Sequence, residues 1–305
     1  MTTTDPSAGT LVVPAPDGAD LAVRVRGLRR SYGETRAVDG VDLDVVRGEV
    51  LALLGPNGAG KTTTTEILEG YRHRDAGEVD VLGVDPAHAH PVWRSRLGIV
   101  LQTAGDLGDL TVEESVAHFA GYYPHPRSVD EVVEAVGLAE KRTTRGANLS
   151  GGQRRRLDVA LGIIGRPELL FLDEPTTGFD PEARREFWEL IKGLRGEGTT
   201  ILLTTHYLDE AEVLADRVAV IARGRVIACD VPSRLGGRDE SLATVTWREE
   251  GAVRRVPTHE PTKAVRELAD RFGGEVPGLA VHRPSLEDTY LSLIGHDLDD
   301  TEGTR

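Results

Sequence analysis

The stretch GPNGAGKT, Gly55 to Thr62, constrains this chain more than any other. It matches Gly-x-x-x-x-Gly-Lys-[Ser/Thr] at every fixed position and directly follows the apolar run EVLALL. A strand entering such a loop and a helix leaving it form a phosphate cradle. Its glycines let successive backbone N–H groups turn toward the β- and γ-phosphates of a nucleotide. Lys61 reaches those oxygens, and the Thr62 hydroxyl can ligate Mg²⁺. The predicted cradle comprises Gly55, Pro56, Asn57, Gly58, Ala59, Gly60, Lys61, Thr62 and Thr63. A dinucleotide fingerprint fails, because after Gly58 and Gly60 its third glycine would fall at Thr63.

A P-loop belongs in a parallel sheet, and the chain supplies further strands. ELLFLDEP, TTILLTTH and RVAVIA are apolar runs of the kind buried on both faces. Asp173 ends the first, where a carboxylate emerging beside the P-loop is a Mg²⁺ partner. Glu174 follows and can orient or deprotonate a water for in-line attack on the γ-phosphate. His206 ends the second run at a similar edge, which raises it from a structural histidine to a γ-phosphate contact and water positioner. Gln102, closing GIVLQ, reads as a catalytic residue in the Mg²⁺ shell. Tyr32, in RSYG, reads as a ring for adenine to stack on. Asp180 before Pro181 reads as an N-cap with proline at N1, and counts among the nucleotide-binding residues. The helix that follows carries Ala183, Phe187, Leu190, Ile191 and Leu194 on one face.

Around this core the texture of the chain changes several times. Residues 1–20 lack periodicity and are expected to be flexible. Leu21 to Val50 alternates in short runs, LAVRV and VDLDVV, which reads as strands and hairpins. Residues of about 103–165 turn helical, with TVEE (Thr111–Glu114) as a capping box. After about Asp230, LATVTW and LAVHR read as strands, and Val265, Leu268, Ala269 and Phe272 line one helix face. Ser285 and Asp288 cap a last short helix, so 231–296 reads as a small α+β domain and 297–305 as an acidic, disordered tail. With 50 acidic against 36 basic residues and a net charge of −14, general electrostatics disfavour nucleic acid as a partner. The single cysteine, Cys229, excludes an internal disulfide and fits a reducing compartment. No apolar run approaches the roughly 18 residues that would span a bilayer, so any membrane crossing falls to another chain.

One motif remains. NLSGGQRRRL, Asn148 to Leu157, opens a helix whose first turn holds no acidic residue, and bare N–H groups there make a second anion site. Leu157, Ala160, Leu161 and Ile164 would bury one face of that helix, leaving Arg154, Arg155 and Arg156 as a solvated cluster or ion-pair partners. The P-loop, VLQ, LSGGQ, LLFLDEP, TTGFD and TTH occur together in one order. In that order, over about residues 21–230, the chain resembles the ATP-binding subunits of ABC transporters. RREFWELI and PSLEDTYLSLIG look like the daunorubicin-resistance branch of exporters, whose ATPase and membrane-spanning subunits are separate chains.

The resemblance implies an α/β fold: a P-loop NTPase core with a parallel sheet, an N-terminal antiparallel β-subdomain, a helical signature insertion and a small C-terminal α+β domain. It implies that Ser150, Gly151, Gly152 and Gln153 grip the γ-phosphate of an ATP on the P-loop of a second ATPase subunit. Two sites in one chain then serve two Mg·ATP in a head-to-tail pair. It also implies a permease partner reached through the Gln102 loop and the helical insertion, at the cytoplasmic face of the membrane. Phe179 stands where the family usually has Leu, and Asp180 beside it is kept. An importer ATPase and a soluble DNA-repair or chromosome ATPase share the nucleotide head. The latter carry coiled-coil or zinc insertions that this chain lacks.

Overall fold

A computed structural model describes residues 11–12, 18–101 and 108–302, with side chains over 18–101 and 108–295. The chain divides into two compact units, Met1–Cys229 and Asp230–Arg305.

In the first unit the elements run β1 (Leu11–Val12), β2 (Leu21–Tyr32), β3 (Thr35–Val46), β4 (Val50–Leu54), α1 (Lys61–Leu68), β5 (Ala76–Val81), α2 (Pro91–Arg94) and β6 (Leu97–Val100). Three helices follow, α3 (Val112–Ala120), α4 (Val129–Ala135) and α5 (Gly151–Ile163). Then come β7 (Leu169–Asp173), α6 (Pro181–Gly196), β8 (Thr200–Thr205), α7 (Leu208–Leu214), β9 (Arg217–Ala222) and β10 (Arg225–Asp230). Seven strands form one sheet in the order β1-β10-β9-β4-β8-β7-β6. The pairings β4–β8, β4–β9, β7–β8 and β6–β7 are parallel, so the carboxyl ends of β4, β7 and β8 emerge together.

Side chains alternate across a strand, and here both faces are covered. Leu51, Leu53, Leu169, Phe171, Leu202, Ala219 and Ile221 enter a core shared with the antiparallel sheet β3-β2-β5. Leu170, Leu172, Ile201 and Leu203 enter a second core with Val112, Val116, Val132, Val133 and the buried face of α5. The helical insertion thus shares a core with the sheet. Thr111 and Glu114 form the expected capping box of α3.

Two expectations near the ends need correction. Leu11 and Val12, expected to be flexible, pair in parallel with Ala228 and Cys229 at the sheet edge. The final helix α9 runs Leu286–Glu302, further into the acidic tail than expected.

The second unit holds β11 (Ala243–Glu249), β12 (Ala252–Thr258), α8 (Pro261–Phe272), β13 (Ala280–His282) and α9. Its sheet is antiparallel in the order β12-β11-β13. Leu268 of α8 packs with Val245, Trp247 and Val276 beneath Val265, Ala269 and Phe272. Strand β12 was not legible as a strand, because it is exposed on nearly every residue and lacks an apolar alternation. Ser285 Oγ accepts from Asp288 N at 3.0 Å, and Asp288 Oδ2 accepts from Ser285 N at 2.8 Å, closing the cap of α9.

Candidate active site

Strand β4 is buried at every residue and ends at the P-loop. Glycine is required there by close approach. A Cβ on Gly55 would lie 2.3 Å from the Ile221 carbonyl oxygen, and one on Gly60 would lie 2.4 Å from that of Ala37. Gly60 also holds φ at +106°, left-handed backbone that side chains disfavour. Pro56, Asn57, Gly58 and Thr62 are exposed, Ala59 is buried and Thr63 is half-buried. Helix α1 begins at Lys61 with no acidic residue in its first turn, which leaves its N-terminal dipole uncompensated for an anion. The Lys61 ammonium donates to Gly55 O at 2.7 Å and Pro56 O at 3.2 Å, bonds that phosphate oxygens can replace. Burial lowers the Lys61 pKa, against the pull of the Glu174 and Asp173 carboxylates nearby.

Those carboxylates stand at the end of β7. Asp173 Oδ1 accepts the Thr204 hydroxyl across the β7–β8 ladder. Glu174 N donates to Thr204 O at 3.0 Å and to Thr204 Oγ1 at 3.2 Å. Glu174 is held at φ +44°, a left-handed conformation that costs a non-glycine residue roughly 1–2 kcal/mol. That turn brings its Oε1 to 3.2 Å from Nδ1 of His206, which follows β8. Lys61, Asp173, Glu174 and His206 therefore meet at one sheet edge.

The other expected residues sit on separate elements, each with its own local contacts. Tyr32 ends β2, with its ring faced by Arg30 at 5.0 Å and Arg72 at 5.7 Å. Asp180 caps α6, its Oδ1 accepting from Glu182 N at 3.0 Å and Ala183 N at 2.8 Å. Phe179 fits because its ring meets that of Phe187 edge-on at 5.7 Å. Ser150 caps α5 reciprocally with Gln153. Its Oγ accepts from Gln153 N at 3.3 Å, and Gln153 Oε1 accepts from Ser150 N at 3.1 Å. Between them lie the N–H groups of Gly151 and Gly152, in a first turn with no acidic side chain. Gln102 lies outside the described residues.

The expectation of solvated or ion-paired arginines holds for the exposed Arg154 and for Arg156 and fails for Arg155. Arg156 pairs with Glu186, as a surface arginine would. Arg155 is buried and donates through Nε to Pro175 O at 3.1 Å, through Nη2 to Asp173 O at 2.6 Å, and through Nη1 to Leu101 O. Arg155, Val159 and Ile163 form an i, i+4, i+8 stripe on the buried side of α5, a periodicity that the run RRR obscures. Thr204 was also missed, since a threonine in TILLTT reads only as a strand former.

The sequence and the fold both match known proteins. The family model described as ABC transporter covers residues 38–177. A daunorubicin resistance ATP-binding protein of Streptomyces coeruleorubidus is 39% identical, over 92% of this chain and 97% of its own length. The chain belongs to the ABC transporter family. A Nod factor export ATP-binding protein I of Ralstonia nicotianae is 38% identical, over 94% of this ABC chain and 98% of its own length. A solved dimeric ATP-binding cassette in a post-hydrolysis state, bound to ADP and Pi, shares the fold with a TM-score of 0.62. It is 23% identical and matches 68% of this chain and 98% of that one. As an ABC cassette the protein is a nucleotide-binding ATPase. Among its described residues no helix is long and apolar enough to cross a membrane.

Proposed function

We propose that this ABC ATPase is the energy-coupling subunit of an exporter, working at the cytoplasmic face of the membrane through a separate permease chain. The observation that carries the catalytic part is the 3.2 Å contact between His206 and Glu174, beside the P-loop lysine. Export is supported by the relatives above, which are named for drug resistance and for Nod factor export.

In this reading Gly55–Thr63 hold the phosphates, Lys61 exchanges its loop carbonyls for phosphate oxygens, and Tyr32 offers its ring to adenine. Glu174 orients and accepts a proton from the attacking water, while His206 holds Glu174 and contacts the γ-phosphate. Thr62, Asp173 and Gln102 are hard oxygen donors, the kind Mg²⁺ takes when phosphates and waters fill its remaining positions. Mg²⁺ held by these residues would supply positive charge against the phosphates. Ser150, Gly151, Gly152 and Gln153 contact the γ-phosphate held by a second ATPase subunit, with Asp180 at the same junction. That subunit is another copy or a homologue. The unit 230–305 carries none of these residues and is assigned to assembly or regulation.

The test is recovery of the tagged chain from solubilised membranes of its own host, followed by ATPase assays. A co-purifying multi-spanning protein whose presence changes ATP turnover supports the proposal. A chain found only in the supernatant, with turnover indifferent to any membrane protein, contradicts it.

A further inference from the structure

We infer that Arg155 is a positioning residue for Glu174, holding the catalytic loop by the carbonyls on either side of it. The inference rests on the catalytic role proposed above for Glu174. Two of the three acceptors of the buried guanidinium are Asp173 O and Pro175 O, which flank Glu174 in the chain. Glu174 itself is left-handed, at φ +44°. A residue in so sparsely populated a conformation stays there only when its surroundings over-determine it. Thr204 fixes the Glu174 N–H from the β8 side, and Arg155 fixes both flanking carbonyls from the α5 side.

The choice of arginine follows from that task. A guanidinium is a rigid planar fork whose five donors are spread over three nitrogens, whereas an ammonium carries its three donors on one atom and cannot meet three acceptors approached by three different nitrogens. Its closest carboxylate, Asp158 Oδ2, is 3.9 Å from Nη1, beyond hydrogen-bonding distance, so the backbone carbonyls rather than an ion pair set its orientation. The third acceptor, Leu101 O, immediately precedes Gln102. The helix opened by the SGGQ motif is thereby tied both to the Glu174 loop and to the strand end that leads into Gln102. Damage to Arg155 should let Glu174 relax away from His206 without disturbing the P-loop.

The experiment is a double-mutant cycle on the full chain, with Arg155→Met, Arg155→Lys, Glu174→Gln and the double variants. ATP turnover, nucleotide affinity and thermal stability are measured for each. Arg155→Met should lower kcat by about thirtyfold or more while nucleotide affinity stays within about threefold. Arg155→Lys should recover little of that loss, because it restores charge without the fork. Added to Glu174→Gln, either substitution should change the residual rate by less than about threefold, since both act through the same group. A folded Arg155→Met with kcat within about threefold of the parent overturns the inference. So does a loss equally large in the Glu174→Gln background, which marks a purely structural arginine. Where Arg155→Met does not fold, Arg155→Lys decides by the same two criteria. Near-native turnover of Glu174→Gln alone would instead overturn the role of Glu174, separately from anything Arg155 does.

Discussion

Replacing Lys61 with alanine tests the phosphate cradle at its most exposed assumption. In the structure the ammonium is buried and, among the described residues, bonds within its own loop, to Gly55 O at 2.7 Å and Pro56 O at 3.2 Å. Nucleotide binding exchanges these neutral acceptors for phosphate oxygens. A hydrogen bond to a charged partner contributes about 1.5–3 kcal/mol net, so the variant should bind ATP roughly ten- to a hundredfold more weakly. The cost to folding should be small by comparison. Pro56 is exposed and water can solvate its carbonyl, leaving only the Gly55 carbonyl to lose a partner. That amounts to about 1 kcal/mol, or a fall in Tm of roughly 2–4 °C for a unit of this size. The assay is titration with a fluorescent ATP analogue at fixed ionic strength, with a melting curve for each protein. A folded variant that binds within about twofold of the parent would refute the assignment of Lys61 to the phosphates.

Glu174→Gln keeps the size and polarity of the side chain but removes its ability to take a proton. It should bind Mg·ATP normally while turnover falls by about 10²–10⁴-fold, and near-native turnover in a coupled phosphate assay would remove Glu174 from the chemistry. Burial pushes the Asp158 carboxyl up from 3.8 to about 6, so the folded chain keeps a proton that the unfolded chain has already lost. Its contribution is therefore full below pH 3.8 and is lost as pH rises through about 6, by at most about 3 kcal/mol. Asp158→Asn should accordingly gain stability relative to the parent between acidic and neutral pH, and melting curves that stay parallel across that range would count against it. Phe187, fully buried beneath Phe179, should cost about 3–5 kcal/mol when cut to alanine, and a denaturation midpoint unchanged from the parent would contradict that packing.

The P-loop could be read from the sequence because few other folds need two glycines, a lysine and a threonine at that spacing between strand and helix. The core strands β4, β7 and β8 were equally plain, since burial on both faces leaves them apolar except for the threonines of β8 and Asp173 at the end of β7. What escaped depends on three-dimensional context. The left-handed turn at Glu174 leaves no mark in DEP, because a glutamate does not advertise positive φ. Arg155 hid inside RRR, where composition suggests solvent and only the helical register points inward. The partnership of Thr204 with Asp173 and Glu174 arises from the register of two strands about 30 residues apart, which pattern alone does not fix.

In the proposed function the two phosphate-binding motifs of one chain serve two different nucleotides. That arrangement is tested most directly by a mixed dimer in which one subunit carries Lys61→Ala and the other Gly152→Asp. The aspartate puts a carboxylate in the first turn of α5, where it repels phosphate. In a head-to-tail pair both lesions fall on the same composite site, and the other keeps an intact P-loop and an intact signature. The separately tagged heterodimer, purified under non-hydrolysing conditions, should then retain about one tightly held ATP per pair. Loss of tight binding at both sites would mean that each chain uses its own signature, and would contradict the account.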